Sequence, residues 1–281
     1  MSGGGESCSF FNRFGGQPLI IAHRGYRACY PENTLCAFEQ SLGRCHMIEL
    51  DVQLSADGVA VVFHDDTLTR TSNAAAVAAN FGQASLVLRD WPLAALRRLD
   101  IGTWFLEADP FGTIHHGTVE PAQLRACMPQ RVLTLREVLA WATANRLPLN
   151  IEIKDSGRYR KAHPIVPVVV NEIREAGATG QVLVSSFRHQ FLRTCRQLAP
   201  EIALAALQEG GHPPDLLHYL RGLGVSAYHS ENGITDAALV NALRSAGLQV
   251  NVFTVNEPAR QRQLFTFGVT GIFTDFPRAV S

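Results

Sequence analysis

Two strand-like runs carry acids where a buried parallel sheet is ordinarily apolar throughout. In "MIELDVQL", residues 47–54, Ile48, Leu50, Val52 and Leu54 alternate with Met47, Glu49, Asp51 and Gln53. In "NIEIK", residues 150–154, Ile151 and Ile153 alternate with Asn150, Glu152 and Lys154. Successive side chains point to opposite sides of a strand. If the aliphatic faces pack on helices, Glu49, Asp51, Glu152 and Lys154 share one interior. Carboxylates held that close raise one another's pKa unless a cation intervenes. Hard oxygen donors suit Mg²⁺ or Ca²⁺, and no H-E-x-x-H or Cys/His cluster offers zinc as an alternative. A buried Glu–Lys ion pair explains either strand alone, but one lysine does not balance three acids.

A second group of residues stands where apolar runs end. "LIIAHRG", residues 19–25, delivers His23 and Arg24, and "VAVVFHD", residues 59–65, delivers His64. Burying such groups unpaired is costly. Two imidazoles near a reference pKa of about 6.5 allow one to accept a proton while the other donates it. The residues leave open which does which. Arg24 supplies a planar fork matched to a phosphate oxygen. Two proton carriers, one divalent cation and a fixed guanidinium fit hydrolysis of a phosphodiester, by water or by a neighbouring hydroxyl of the substrate.

These residues need a scaffold that brings distant strands together. From residue 19, eight strand-like runs alternate with amphipathic helical ones: "LIIAHRG", "MIELDVQL", "PLNIEIK", "QVLVSSF", "IALAALQ", "VSAYHSE", "LQVNVFTVN" and "VTGIFTD". Helix signals include Thr134 with Glu137 three residues later, Thr235 before an alanine-rich start, and Gly177, Gly224 and Gly247 as stops. The alternation predicts an α/β (β/α)8 TIM barrel over 19–281 with a truncated last helix, with a doubly wound open sheet as competitor. Residues 1–18 read as a loose lead-in. Residues 66–132 break the rhythm and are too long for a simple connection. They read as an insertion after the second strand at the barrel mouth, with helix around "LRDWPLAALRRL".

Composition narrows the rest. Twenty-five basic and 25 acidic residues give no net charge, so nothing predicts nucleic-acid binding or capture by an anionic surface. No apolar run reaches membrane-spanning length, so no stable membrane insertion is expected. Six scattered cysteines without a C-x-x-C pair read as reduced thiols of a cytoplasmic protein.

"AHRG…PENT", "IELDVQLSADGVAVVFHDDTLTRT", "GTWF", "NIEIK", "VSSF", "NVFTVN" and "GIFTDFP" occur in order across residues 19–277. Together they resemble the glycerophosphodiester phosphodiesterase family. The resemblance implies a TIM-barrel enzyme that cleaves a small glycerophosphodiester into sn-glycerol 3-phosphate and an alcohol. It implies His23 and His64 as the acid–base pair and Glu49, Asp51 and Glu152 as ligands of one Mg²⁺ or Ca²⁺. Arg24 and Lys154 become phosphate contacts, and Trp104 and Phe105 of the insertion become an apolar wall at the glycerol end. Phe253 stands where the family often has tryptophan, a departure that bears on substrate choice. Other readings are lysophospholipase D or phospholipase C-like action on a longer lipid, a non-enzymatic phosphate-binding barrel, and a sugar-phosphate isomerase. Asn33 and Thr34 read as helix caps. Ser186 and Phe187 are candidate pocket residues, and His229 a candidate ligand contact. His115–His116, Arg97–Arg98 and Arg158–Arg160–Lys161 read as solvated.

Overall fold

The computed structural model describes residues 9–155 and 164–278, so the Arg158–Arg160–Lys161 cluster lies outside the described residues. Ten strands form one sheet: β1 (Leu19–His23), β2 (Met47–Leu54), β3 (Ala60–Val62), β4 (Leu133–Thr134), β5 (Leu149–Ile153), β6 (Val182–Ser186), β7 (Ala203–Gln208), β8 (Ala227–Glu231), β9 (Gln249–Phe253) and β10 (Gly271–Thr274). Eight of them run parallel in the order β1, β2, β5, β6, β7, β8, β9, β10. The barrel closes where Ala22 of β1 registers with Thr274 of β10. An open doubly wound sheet is thereby ruled out.

The alternation in the strands sets the layers. Ile48, Leu50, Val52, Ile151 and Ile153 share one core with Leu135, Val138, Val169, Leu192, Val240 and Leu264 from the surrounding helices. Helix starts carry local reasons. Thr134 and Glu137 form a complete capping box at Leu135–Ala144. At Ala237–Ser245 the cap is Asp236 rather than Thr235: the Asp236 side chain accepts from Leu239 N, while the Thr235 hydroxyl donates to Ser230 Oγ and Glu231 O. Gly224 closes Leu216–Leu223 in a left-handed conformation.

β3 and β4 are not barrel staves. β3 returns antiparallel along β2, Val52 against Val62, and β4 pairs antiparallel with β3. The segment expected as an insertion holds short helices at Ala74–Val77, Leu93–Leu96, Trp104–Ala108 and Pro121–Cys127. It packs as two satellite clusters, one around Leu68, Leu88 and Trp91, the other around Phe105, Val119 and Leu124. Arg97 pairs with Glu137 at 2.9 Å and Arg98 lies over the Phe81 ring, so both are anchored rather than merely solvated.

The expectation of a loose lead-in does not hold for residues 9–18. Ser9–Asn12 is a helical turn. Phe10, Phe11 and Phe14 are buried against Leu19, Met47, Ala203 and Ala227, each at the start of a barrel strand. Phe10 stacks edge-on to Phe11 and Phe14. The small side chains of Ala203 and Ala227 leave the N-terminal end of the barrel unfilled, and aromatic burial there is the driving force for order. Phe10→Ala should lower the unfolding free energy in urea by ~3 kcal/mol. It should leave kcat/KM unchanged, because Phe10 lies at the end opposite the mouth.

Candidate active site

Neighbouring strands β2 and β5 place the acids. Strand register sets Asp51 beside Glu152 and Glu49 beside Asn150. One carboxylate oxygen from each of Glu49, Asp51 and Glu152 lies within 4.8 Å of the others. Asp51 Oδ2 accepts from Asn33 Nδ2 at 2.9 Å and lies 3.2 Å from Arg24 Nε. Glu49 Oε2 accepts from the Arg24 backbone N–H at 2.9 Å. Lys154 Nζ is 2.7 Å from Glu152 and 3.5 Å from Asp51. Burial, then repulsion from Asp51 and Glu152, pushes Glu49 well above the usual carboxylate range. Burial raises Glu152 as well, with Lys154 opposing. Burial alone would raise Asp51, but Arg24 and Lys154 hold it below that range.

This donor set fits a hard divalent cation. Glu49 Oε1 is buried and accepts no hydrogen bond, and Asp51 Oδ1 has only the Lys154 ammonium at 3.5 Å, an expensive state for a buried carboxylate oxygen unless another charge reaches it. Oxygen ligands alone suit Mg²⁺ or Ca²⁺.

The imidazoles arrive by different routes. His23 ends β1, with Nδ1 2.7 Å from Asp275 Oδ1 and Nε2 4.0 Å from Glu49. Burial and the Arg24 charge lower its pKa, while Asp275 opposes them. His64 follows β3, so an antiparallel strand, not a barrel stave, returns it to the mouth. Gln53 Nε2 donates to the carbonyls of Phe63, His64 and Asp65 at 3.1, 3.0 and 2.8 Å, and Phe63 N donates to Asp51 O. His64 Nδ1 lies 2.5 Å from Asp65 Oδ1. A carboxylate on Nδ1 fixes the proton there and leaves Nε2 unprotonated in the neutral form of both rings.

The loop after β1 is tightly wound. Arg24 and Asn33 both take left-handed conformations, φ 57° each, and Asn33 N donates to Arg24 O. Gly25 has φ 84°, and a Cβ there would come within 2.9 Å of the Ala37 backbone; only glycine allows this approach. Non-glycine residues persist in that region where surroundings over-determine them, often at working sites. Thr34 caps Leu35–Glu39 as expected, whereas Asn33 supports Asp51 instead. Glu32 accepts from Arg24, Arg27 and Arg70.

A cavity of about 450 Å³ opens here. Its β1, β2 and β5 side carries His23, Arg24, Glu49, Asn150, Glu152 and Lys154, with His64 beside them; the opposite side carries Phe187, Leu207, Glu209, Phe253 and Phe273. Phe187 and Phe253 meet edge to face at 5.7 Å. Trp104 and Phe105 do not line it. Phe105 is fully buried in a satellite cluster, and Trp104 Nε1 donates to Ile101 O. The aromatic wall comes from late strands instead. Ser186 is buried with its hydroxyl on Ile153 O. His229 is buried against Asn251 and Phe273, outside the cavity lining. Its pKa is pushed down to about 3 by burial. His115 and His116 are exposed.

Glu32, Asp65, Arg70 and Asp275 escape a reading of the sequence by strands. Glu32 and Asp275 lie within quoted motifs, yet their partners are 38 and 252 residues distant. The acid closing "GIFTD", on the strand that must meet β1 in a closed barrel, was the available signal for Asp275.

Imidazoles beside a hard-oxygen cluster and fixed cations, at the C-terminal mouth of a parallel barrel, fit the class of phosphate-ester hydrolases. The sequence model of the Glycerophosphoryl diester phosphodiesterase family matches residues 23–279, and the chain belongs to that family as an enzyme of its class. A glycerophosphodiester phosphodiesterase of Bacillus altitudinis is 36% identical over 269 residues, spanning 93% of this chain and 96% of its own. The structure of an Oleispira antarctica phosphodiesterase in complex with the product sn-glycerol-3-phosphate superposes with TM-score 0.73 at 25% identity, covering 94% of this chain and 95% of that one. A glycerophosphodiester phosphodiesterase from Agrobacterium tumefaciens shares the fold, TM-score 0.69 at 24% identity, covering 93% and 97%.

A carboxyl whose folded pKa is raised binds more protons folded than unfolded, so its contribution to stability falls as pH rises from the unfolded value through the folded one. In metal-free protein, the stability of wild type relative to Glu49→Gln should therefore decline as pH rises above about 4.5. Paired thermal melts in chelator between pH 5 and 8 test this; a flat difference would show that Glu49 is not raised.

Proposed function

We propose that the chain hydrolyses small glycerophosphodiesters to sn-glycerol 3-phosphate and an alcohol, with one Mg²⁺ or Ca²⁺ held by Glu49, Asp51 and Glu152. The observation that carries this reading is the convergence of three carboxylates, with Glu49 Oε1 buried and without a donor, beside two carboxylate-held imidazoles. The relative solved with sn-glycerol-3-phosphate supports the product.

When bound, the cation supplies charge that offsets the phosphate and acidifies a hydroxyl. The chain's own residues do the rest. Arg24 and Lys154 bring positive charge to the cavity edge where a phosphate oxygen must lie. His23 and His64 each turn Nε2 to the reaction. One takes the proton of the attacking hydroxyl and the other gives a proton to the departing alkoxide. The wall of Phe187, Leu207, Phe253 and Phe273 receives the carbon skeleton of one ester substituent and keeps water from that side.

Among the described residues, no helix is long and apolar enough to cross a membrane. Cys29, Cys36, Cys45, Cys127 and Cys195 are free thiols, which supports assignment to the reducing cytoplasm.

Purified protein should release glycerol 3-phosphate from glycerophosphocholine, lose that activity in chelator and regain it with Mg²⁺ or Ca²⁺. His64→Ala and Glu49→Gln should each cut kcat by about 1,000-fold while circular dichroism stays native. Turnover that survives chelation and both substitutions would overturn the site. A faster rate on a lysophospholipid would transfer the assignment to a longer lipid.

A further inference from the structure

Glu32 is only 5% exposed and does not line the cavity, yet more charged groups meet on it than neutralisation requires. Its Oε1 accepts from Arg24 at 2.8 Å and Arg70 at 2.7 Å; its Oε2 accepts from Arg27 at 2.9 Å and Arg70 at 2.9 Å. A single arginine would satisfy a buried carboxylate. Here three converge, and each continues toward the chemistry.

Arg70 also grips both oxygens of Asp65, at 2.7 and 2.9 Å, and Asp65 holds His64 Nδ1 at 2.5 Å. Arg27 reaches Asp275 at 3.2 Å, and Asp275 holds His23 Nδ1 at 2.7 Å. Asn256 Nδ2 takes the second Asp275 oxygen at 2.7 Å. Two carboxylate–guanidinium–carboxylate–imidazole arms thus diverge from one glutamate, and Arg24 forms a third. We propose that Glu32 is a positioning residue that sets the ring orientation of both His23 and His64 at once. The role rests on the hydrolytic reading of the site, but the orientation itself does not.

The physical case is one of rigidity. Arg70 pairs bidentately with both Glu32 and Asp65, which constrains direction as well as distance, while Arg27 bridges Glu32 and Asp275 with one bond to each. Asp65 and Arg70 are partly exposed, and a carboxylate held only by its histidine would be free to rotate into solvent. Tying both arms to one buried oxygen pair makes the spacing of the two Nε2 atoms a property of the "PENT" turn. Misplacement of a reacting group by about 1 Å costs about 100-fold in rate.

Three variants test this: Glu32→Gln on the hub, Arg27→Met on the His23 arm and Arg70→Met on the His64 arm. On glycerophosphocholine, Glu32→Gln should lower kcat about 100-fold and each arm variant about 10-fold, with KM within about threefold. In metal-free, ¹⁵N-histidine-labelled protein, wild type should give sharp Nδ1–H signals for both rings. Glu32→Gln should broaden both, Arg27→Met only that of His23, and Arg70→Met only that of His64. If Glu32→Gln leaves both signals sharp, or lowers activity only in proportion to the unfolded fraction, Glu32 is a structural staple and the proposal fails. If Glu32→Gln does not fold, the arm variants decide: each must broaden its own ring, and failure of either overturns the proposal. If wild type cleaves no glycerophosphodiester, the hydrolytic reading falls while the ring signals still decide the role of Glu32.

Discussion

Like charges forced together in a place that water leaves govern this structure. Glu49, Asp51 and Glu152 meet at the mouth of a closed barrel, almost fully buried. The cost of that arrangement explains what surrounds it. Arg24 and Lys154 are drawn onto Asp51 and Glu152. Asn33 takes a left-handed conformation to donate to Asp51, and the Arg24 backbone bends to donate to Glu49. Glu49 Oε1 is still left without a donor, and the three acids stand close enough to hold a cation. The guanidinium and ammonium drawn onto the acids also leave positive charge at the cavity edge.

The molecule separates stability from chemistry along the barrel axis. The N-terminal end is filled by Phe10, Phe11 and Phe14 over Leu19, Met47, Ala203 and Ala227. The C-terminal end is charged on one side and aromatic on the other. That division follows strand order. The polar side comes from the neighbouring β1, β2 and β5 with His64 after β3, and the apolar wall from β6, β7, β9 and β10. A diester with a charged centre and an uncharged substituent matches such a cavity.

Much of the site was legible in the residues because a strand's period of two assigns each side chain a face. Glu49, Asp51 and Glu152 could be placed inside from their aliphatic alternates alone, and the structure puts Ile48, Leu50, Ile151 and Ile153 against helices. His23 was legible by position instead, at the end of the apolar run that forms β1. His64 does follow the end of an apolar run, but that run is a hairpin partner of β2 and not a stave. Trp104 and Phe105 were expected at the cavity and are not there, because an irregular segment has no periodicity from which direction can be read.

The sequence by itself determined the parallel alternation, the charged face of two strands and the residue types that meet phosphate and metal. All of these are local consequences of side-chain spacing. Only the tertiary structure decided what orients those residues. Asp275 reaches His23 because β10 closes against β1, and Arg70 reaches Glu32 because the chain after β3 folds back over the turn that follows β1. Contacts between residues far apart along the chain depend on barrel closure and loop path, and no spacing within a single element encodes them.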